Sequence, residues 1–331
     1  MGFYDIYGFN IFIEGSAESK FSTKYKQFEV SSAPDTVDLS VRIHDGKENL
    51  PTKPNGSSKG MWIPFFSDEK TLWYEEGVAL NVLLAFMDGL IWWSHKVSLH
   101  AGGVAKGGNA FLFAGGGNVG KTSAVMNLLE KGYDYIGDDW LVIEENIAYP
   151  LWRTVHVHDY NLSDPRLARS VLGIKAPLYR SISWMSRAGM QLLPQRYLRY
   201  ALSLLRDRLT INVDLQEIYP NAELARPTQI SKVFYLERHN SREMTVTRGI
   251  PPEELARRMA YVYLYEWNFL FDEYYKYAYQ YGKTNRQLEG RFDQIVRIAR
   301  RAFQGADLYR VAIPENLDMK DLDLISKLEL P

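Results

Sequence analysis

Between Phe113 and Val125 the chain reads FAGGGNVGKTSAV, and Gly115, Gly120, Lys121 and Thr122 fall on the spacing G-x-x-x-x-G-K-[ST]. That spacing suits a phosphate chain. Glycines let backbone N–H groups approach phosphate oxygens without interference from a Cβ, and the helix that follows adds the positive end of its dipole. The lysine neutralises the β and γ phosphates, and the hydroxyl next to it ligates Mg²⁺. Gly115, Gly116, Gly117, Asn118, Val119, Gly120, Lys121, Thr122 and Ser123 are therefore expected to bind a nucleotide. A glycine-rich turn with a structural lysine is the alternative, and the flanking elements favour the nucleotide.

Asp138 and Asp139 close the stretch YDYIGDD. At the end of the next strand of a parallel or mixed sheet, they would emerge at the same edge as the glycine loop. One carboxylate can then bind or orient Mg²⁺ together with Thr122, while the other takes a proton from an attacking hydroxyl. The spacing does not say which does which. Gly-Asp-Asp is also good turn chemistry, so it is the loop upstream that gives the pair its functional reading. His100, in VSLHAGGV, projects opposite to Leu99 and Ala101 on an alternating strand. It is either a structural histidine or a partner that handles a proton or orients a carboxylate.

Three other constellations have chemical potential. His156 and His158, in TVHVHD, share one face of a strand. That spacing can seed a metal site, but no third ligand is evident; a polar sheet surface is the commoner setting for such a pair, and substrate contact is the other use. Arg226, in LARP, immediately precedes a strand and could face a phosphate. The tract Lys175–Arg208 holds seven basic residues against one acid, Asp207. Such a tract is a solvated helix face, a lid over phosphates or a dock for an acidic peptide.

The elements that must position these groups follow from periodicity. Phe3 to Ile43 alternates in short runs such as YDIYGFNIFI and TVDLSVRI, which favours strands. Asn49–Gly60, rich in Pro, Gly and Ser, reads as a loop, KTLWYEE as a strand and Val78–Lys96 as a buried helix. VSLHAGGV and AFLFA read as strands joined by a KGGN turn, ahead of the glycine loop. A helix over Thr122–Lys131 follows, with Gly132 at its C-cap. YDYIG is the next strand, and WLVIEE continues it. ISKVFYLER (Ile230–Arg238) is a strand, and Pro252–Gly282 and Asn285–Phe303 are helices. The aromatics of Tyr261–Tyr281 run all round their helix and read as packing surface covered on two sides, a second subunit of a homo-oligomer being one candidate for the cover.

With 46% hydrophobic and 24% charged residues, the 331-residue chain can bury a proper core. The formal net charge of −1 gives no footprint for nucleic acid or an anionic membrane surface. There are no cysteines, which removes disulfides, thiolate catalysis and cysteine zinc sites and fits a reducing cytoplasm. MGFYDIYGFN carries no secretory signal pattern, and Val78–Trp93 is interrupted by Asp88. A soluble cytoplasmic protein that does not span a membrane is expected.

The stretch from Ser98 to Ile143 resembles the catalytic core of the HPr serine kinase/phosphorylase family and its HPr-kinase-related branch, a group akin to ATP-dependent phosphoenolpyruvate carboxykinase. The likeness rests on a hairpin-strand histidine, the glycine loop with Lys-Thr and the Asp-Asp ending the next strand. It covers Val97–Glu144, with a weaker echo over Leu224–Arg238. It implies an α/β (α+β) fold with a P-loop kinase core in a catalytic domain over 96–331, whereas the β-rich N-terminal region with a helix over 1–95 is read from periodicity and does not resemble that of HPr kinases. A basic helical insertion near 175–210 and helical C-terminal additions complete it. The resemblance implies ATP and Mg²⁺ as cofactors, Lys121 on the phosphoryl groups, Thr122 on the metal, Asp138 and Asp139 as metal contact and base, and His100 behind that base. The glycine-rich signature that follows the Asp pair in HPr kinases has no counterpart here. A serine-like hydroxyl of a peptide, protein or small molecule is thus the implied acceptor, rather than HPr. The rival readings are an ATP-binding peptide-recognition module without transfer, and a carboxykinase-like enzyme acting on a small carboxylate.

Overall fold

In the computed structural model, residues 1–43, 61–62, 71–74, 96–151, 154–157, 172–173, 211–240, 243–282, 284–315, 328 and 330 are described. The chain is a mixed α/β protein that divides into two compact units. The first comprises Met1–Ser98, Ile143–Glu145 and Pro252–Arg301, and the second comprises Leu99–Val142, Asn146–Pro251 and Ala302–Pro331. The aromatic helices after Pro252 thus group with the N-terminal residues, and not with the rest of 96–331, a long-range association that linear reading does not reveal. No helix among the described residues is long and apolar enough to cross a membrane.

In the first unit, β1 (Gly2–Ile6), β2 (Phe9–Ile13), β3 (Glu29–Val30), β4 (Leu39–Ile43), β5 (Met61–Trp62) and β6 (Thr71–Tyr74) form a sheet ordered β3-β1-β2-β4-β6-β5. The strands expected between Phe3 and Ile43 are interrupted by a helix, α1 (Ser16–Tyr25). Its signal is the spacing of Ala17, Phe21 and Tyr25, one helical turn apart and all buried. The expected loop Asn49–Gly60, residues 78–95 of the expected helix Val78–Lys96, the basic tract Lys175–Arg208 and His158 lie outside the described residues.

The second unit carries most of the nine-stranded sheet. β7 (Val97–Leu99), β8 (Ala101–Lys106), β9 (Asn109–Ala114), β10 (Asp134–Gly137), β11 (Leu141–Glu144), β12 (Ile147–Tyr149) and β15 (Thr228–His239) lie in the order β10-β8-β9-β15-β12-β11-β7. β13 (Thr154–Val157) and β14 (Ile211–Asp214) pair separately. β16 (Thr245–Arg248) and β17 (Asp307–Pro314) extend the large sheet through β15. β8 and β9 are antiparallel across Gly107-Gly108, both at positive φ, whereas β9 and β15 are parallel. β9 is buried from Ala110 to Ala114, as expected of a central strand covered on both faces.

α2 (Lys121–Leu129) follows the glycine loop, and Gly132 takes the left-handed conformation (φ 76°) just beyond its end. Val125, Leu128 and Leu129 of α2 pack in one core with Val104, Phe113, Tyr135 and Phe234 of the sheet. Each such aliphatic side chain contributes about 1.5–3 kcal/mol on burial. A short helix, α3 (Leu215–Ile218), starts at Asp214, whose carboxylate accepts the Gln216 N–H at 2.9 Å.

Two expected helices are each broken once. Pro252–Gly282 divides at Trp267 into α4 (Pro252–Glu266) and α5 (Asn268–Tyr281), and Asn285–Phe303 divides at Gly290 into α6 (Arg286–Glu289) and α7 (Arg291–Phe303). The tyrosines separate into faces. Tyr263, Tyr274 and Tyr277 are buried, while Tyr261, Tyr265, Tyr275 and Tyr279 are exposed.

Candidate functional site

β9 delivers the chain into the glycine loop at Gly115, where φ is 147° and an added Cβ would stand 2.5 Å from the Leu236 carbonyl oxygen of β15. Only glycine fits there. Val119 turns inward and is buried, while Gly117 and Asn118 form the exposed tip. Gly120 (φ 102°) is the N-cap of α2, and its carbonyl accepts the Ala124 N–H at 3.0 Å. A glycine cap brings no side chain to the first turn, so the free amides of that helix start have no side-chain cap. Around Gly116 and Gly117 an added Cβ would meet nothing within 4 Å, so the tip is open.

Lys121 is buried at 5% exposure, and its Nζ donates to the carbonyl oxygens of Gly116 at 2.6 Å and Gly115 at 3.2 Å. The ammonium is folded into the loop it would serve. Thr122 and Ser123 are buried in the first turn of α2.

The acid pair lies at the corresponding end of β10. β10 is antiparallel to β8 and β8 to β9, so β10 and β9 run the same way and end at one sheet edge. WLVIEE does not simply prolong β10. The chain turns through Asp138–Trp140 before β11, and the facing chain turns at His100 between β7 and β8. Gly137 makes the turn possible, since an added Cβ would be 2.9 Å from the Trp140 carbonyl oxygen. Gly102 joins the two halves of the site. Its missing Cβ marks a point 2.8 Å from Cγ2 of Val125, 3.4 Å from the Asp138 carbonyl oxygen and 3.6 Å from that of Lys121. The loop helix and the acid turn therefore converge on one glycine of β8.

The two carboxylates are in different settings. Asp138 is 2% exposed, whereas the Asp139 side chain is 38% exposed and its Oδ1 is 2.9 Å from His100 Nε2. His100 is buried, and its ring stacks on Trp140 with centroids 5.1 Å apart and planes 20° from parallel. Burial first, and then the nearby Asp138 and Asp139 charges, hold the Tyr135 phenol well above its ordinary value, so Tyr135 stays neutral beneath the pair.

The structure thus gathers His100, Gly115–Ser123, Asp138 and Asp139 in the second unit. Trp140 joins them without having been anticipated; its signal was an aromatic directly after the Asp pair. Arg226 is exposed beyond the outer side of β10. Leu224 bridges Tyr135 in parallel, Ala225 N–H donates to the Tyr135 carbonyl at 2.8 Å, and Arg226 is next in line toward the same edge. His156 lies opposite Asn212 in the separate β13–β14 pair, so sheet pairing does not bring it to the loop. Among the described residues no three His, Cys, Asp or Glu side chains cluster to hold a metal. Comparison with known proteins finds no matching family model and no significant match to a curated protein.

Proposed function

We propose that the chain is an ATP-dependent kinase with a P-loop core, moving the γ-phosphoryl group to a serine-like hydroxyl of a peptide, protein or small molecule. The observation that carries this reading is the convergence at Gly102 of the Lys121 turn and the Asp138–Asp139 turn. The residues suit ATP with Mg²⁺. The loop is open at Gly116 and Gly117, the helix start has a glycine cap, and Lys121 and Thr122 sit behind them. Mg²⁺ typically keeps phosphate and water ligands with one or two protein oxygens, so no three-residue protein cage is required. When bound, the ion neutralises charge on the phosphate oxygens.

Within this reading, the loop amides and the α2 terminus hold phosphate oxygens, and Lys121 exchanges its two carbonyl partners for them. Thr122 and the buried Asp138 would hold the metal. Asp139, the carboxylate that reaches both solvent and His100, accepts the proton of the attacking hydroxyl as that oxygen bonds to the γ-phosphorus and ADP leaves. His100 holds the carboxylate in place and stabilises its charge.

The test is incubation with γ-labelled ATP and Mg²⁺ over a panel of serine peptides and small hydroxyl compounds, read by label transfer and a mass gain of one phosphoryl group. Label on an acceptor supports the kinase. Tight nucleotide binding with no labelled acceptor points instead to a recognition module, and no nucleotide binding at all overturns the reading.

A further inference from the structure

We infer that Trp140 is a positioning residue, the aromatic face that holds the His100 ring so that Nε2 stays on Asp139. In its activity arm this rests on the kinase reading; in its structural arm it does not. His100 lies between β7 and β8, outside both strands, and the second side-chain torsion of histidine is broad, so backbone geometry alone leaves the ring plane loosely set. The Asp139 contact cannot fix it unaided, because the carboxylate is 38% exposed and water competes for the same oxygens.

The stack supplies what is missing. Trp140 is 9% exposed, its indole lies 20° from parallel with the imidazole, and a buried aromatic pair of this kind restricts rotation of both rings. Asp139 and Trp140 are also adjacent residues of one turn, tightened by the close pass of the Trp140 carbonyl over Gly137. A single turn therefore grips His100 twice, on its edge through Asp139 and on its face through Trp140.

Three proteins test this: wild type, Trp140→Phe, which keeps an aromatic face, and Trp140→Leu, which keeps apolar bulk without one. In nitrogen-15 histidine NMR, with His100→Gln used for assignment, wild type should show His100 ring protons shifted upfield by the indole and a slowly exchanging Nε2 proton. Trp140→Phe should keep the slow proton, and Trp140→Leu should lose it. Wild-type His100 protons without the upfield shift would overturn the inference even if Trp140→Leu does not fold, and so would a slow Nε2 proton retained in a folded Trp140→Leu. In the transfer assay Trp140→Leu should lose about a hundredfold in kcat, the scale of a misplaced catalytic group, with nucleotide KM unchanged, and Trp140→Phe should recover most of it. Absence of transfer by wild type would sink the kinase reading and leave the NMR result to decide this one.

Discussion

Lys121 donates to two carbonyl oxygens of its own loop, at 2.6 and 3.2 Å, and in the proposed kinase phosphate oxygens replace these contacts. Lys121→Ala should therefore lower transfer by at least about a hundredfold, the usual loss on removing one preorganised electrostatic group. Asp139→Asn should lower kcat by roughly 10²–10⁴ while calorimetric nucleotide binding stays near wild type. Wild-type turnover by Asp139→Asn would remove that carboxylate from the chemistry. Asp134 provides a separate test. Burial, and secondarily the Glu223 charge, raise its carboxyl above the usual range. A raised acid is disfavoured as an ion by the fold, so its cost is absent below the ordinary carboxylate value and complete above the raised one. Asp134→Asn should raise Tm near neutral pH, and the gain should fade as pH falls through the carboxylate range; a gain that persists in strong acid would contradict the assignment. Lys121, Thr122 and the Asp pair could be singled out from spacing because their arrangement is local in the chain. The stack of Trp140 on His100 could not, since it depends on two turns from distant segments meeting.

The glycine loop works as an element because β15 passes close behind it. Gly115→Ala would force a Cβ to within 2.5 Å of the Leu236 carbonyl at a φ of 147°, a backbone clash with no flexible end to yield. A loss of about 1–3 kcal/mol is expected by denaturant unfolding, with weakened nucleotide binding alongside it. Elements of this central region were legible because buried strands such as AFLFA announce themselves as apolar runs. Elsewhere periodicity misled. The Ala17, Phe21 and Tyr25 stripe of α1 was hidden among strand-like neighbours, and the break at Trp267 has no glycine or proline to mark it. The continuity assumed from β10 into β11 failed for a different reason: Gly-Asp-Asp carries turn chemistry, but the apolar WLVI directly after it reads as more of the same strand, while Asp138–Trp140 folds as a turn.

At the scale of the whole molecule, the first unit draws on 1–98, 143–145 and 252–301, so a cut near residue 95 divides it. Residues 1–95 expressed alone should lack cooperative thermal unfolding, and 96–331 alone should give poor amide dispersion, because Leu255, Met259 and Tyr263 are buried in a unit completed by the N-terminal segment. A well-dispersed spectrum from 96–331 would refute this grouping. The strip Glu223–Ala225, bonded to both the N–H and the C=O of Tyr135, has a different consequence. It occupies backbone groups that β10, at the end of the sheet order, would otherwise offer to a foreign strand, and it sets Glu223 and Asp134 side by side as an acidic guard. Acid neutralises the guard but leaves the covering backbone in place, so at low pH this flank should resist fibril-type stacking even after its charge repulsion has gone.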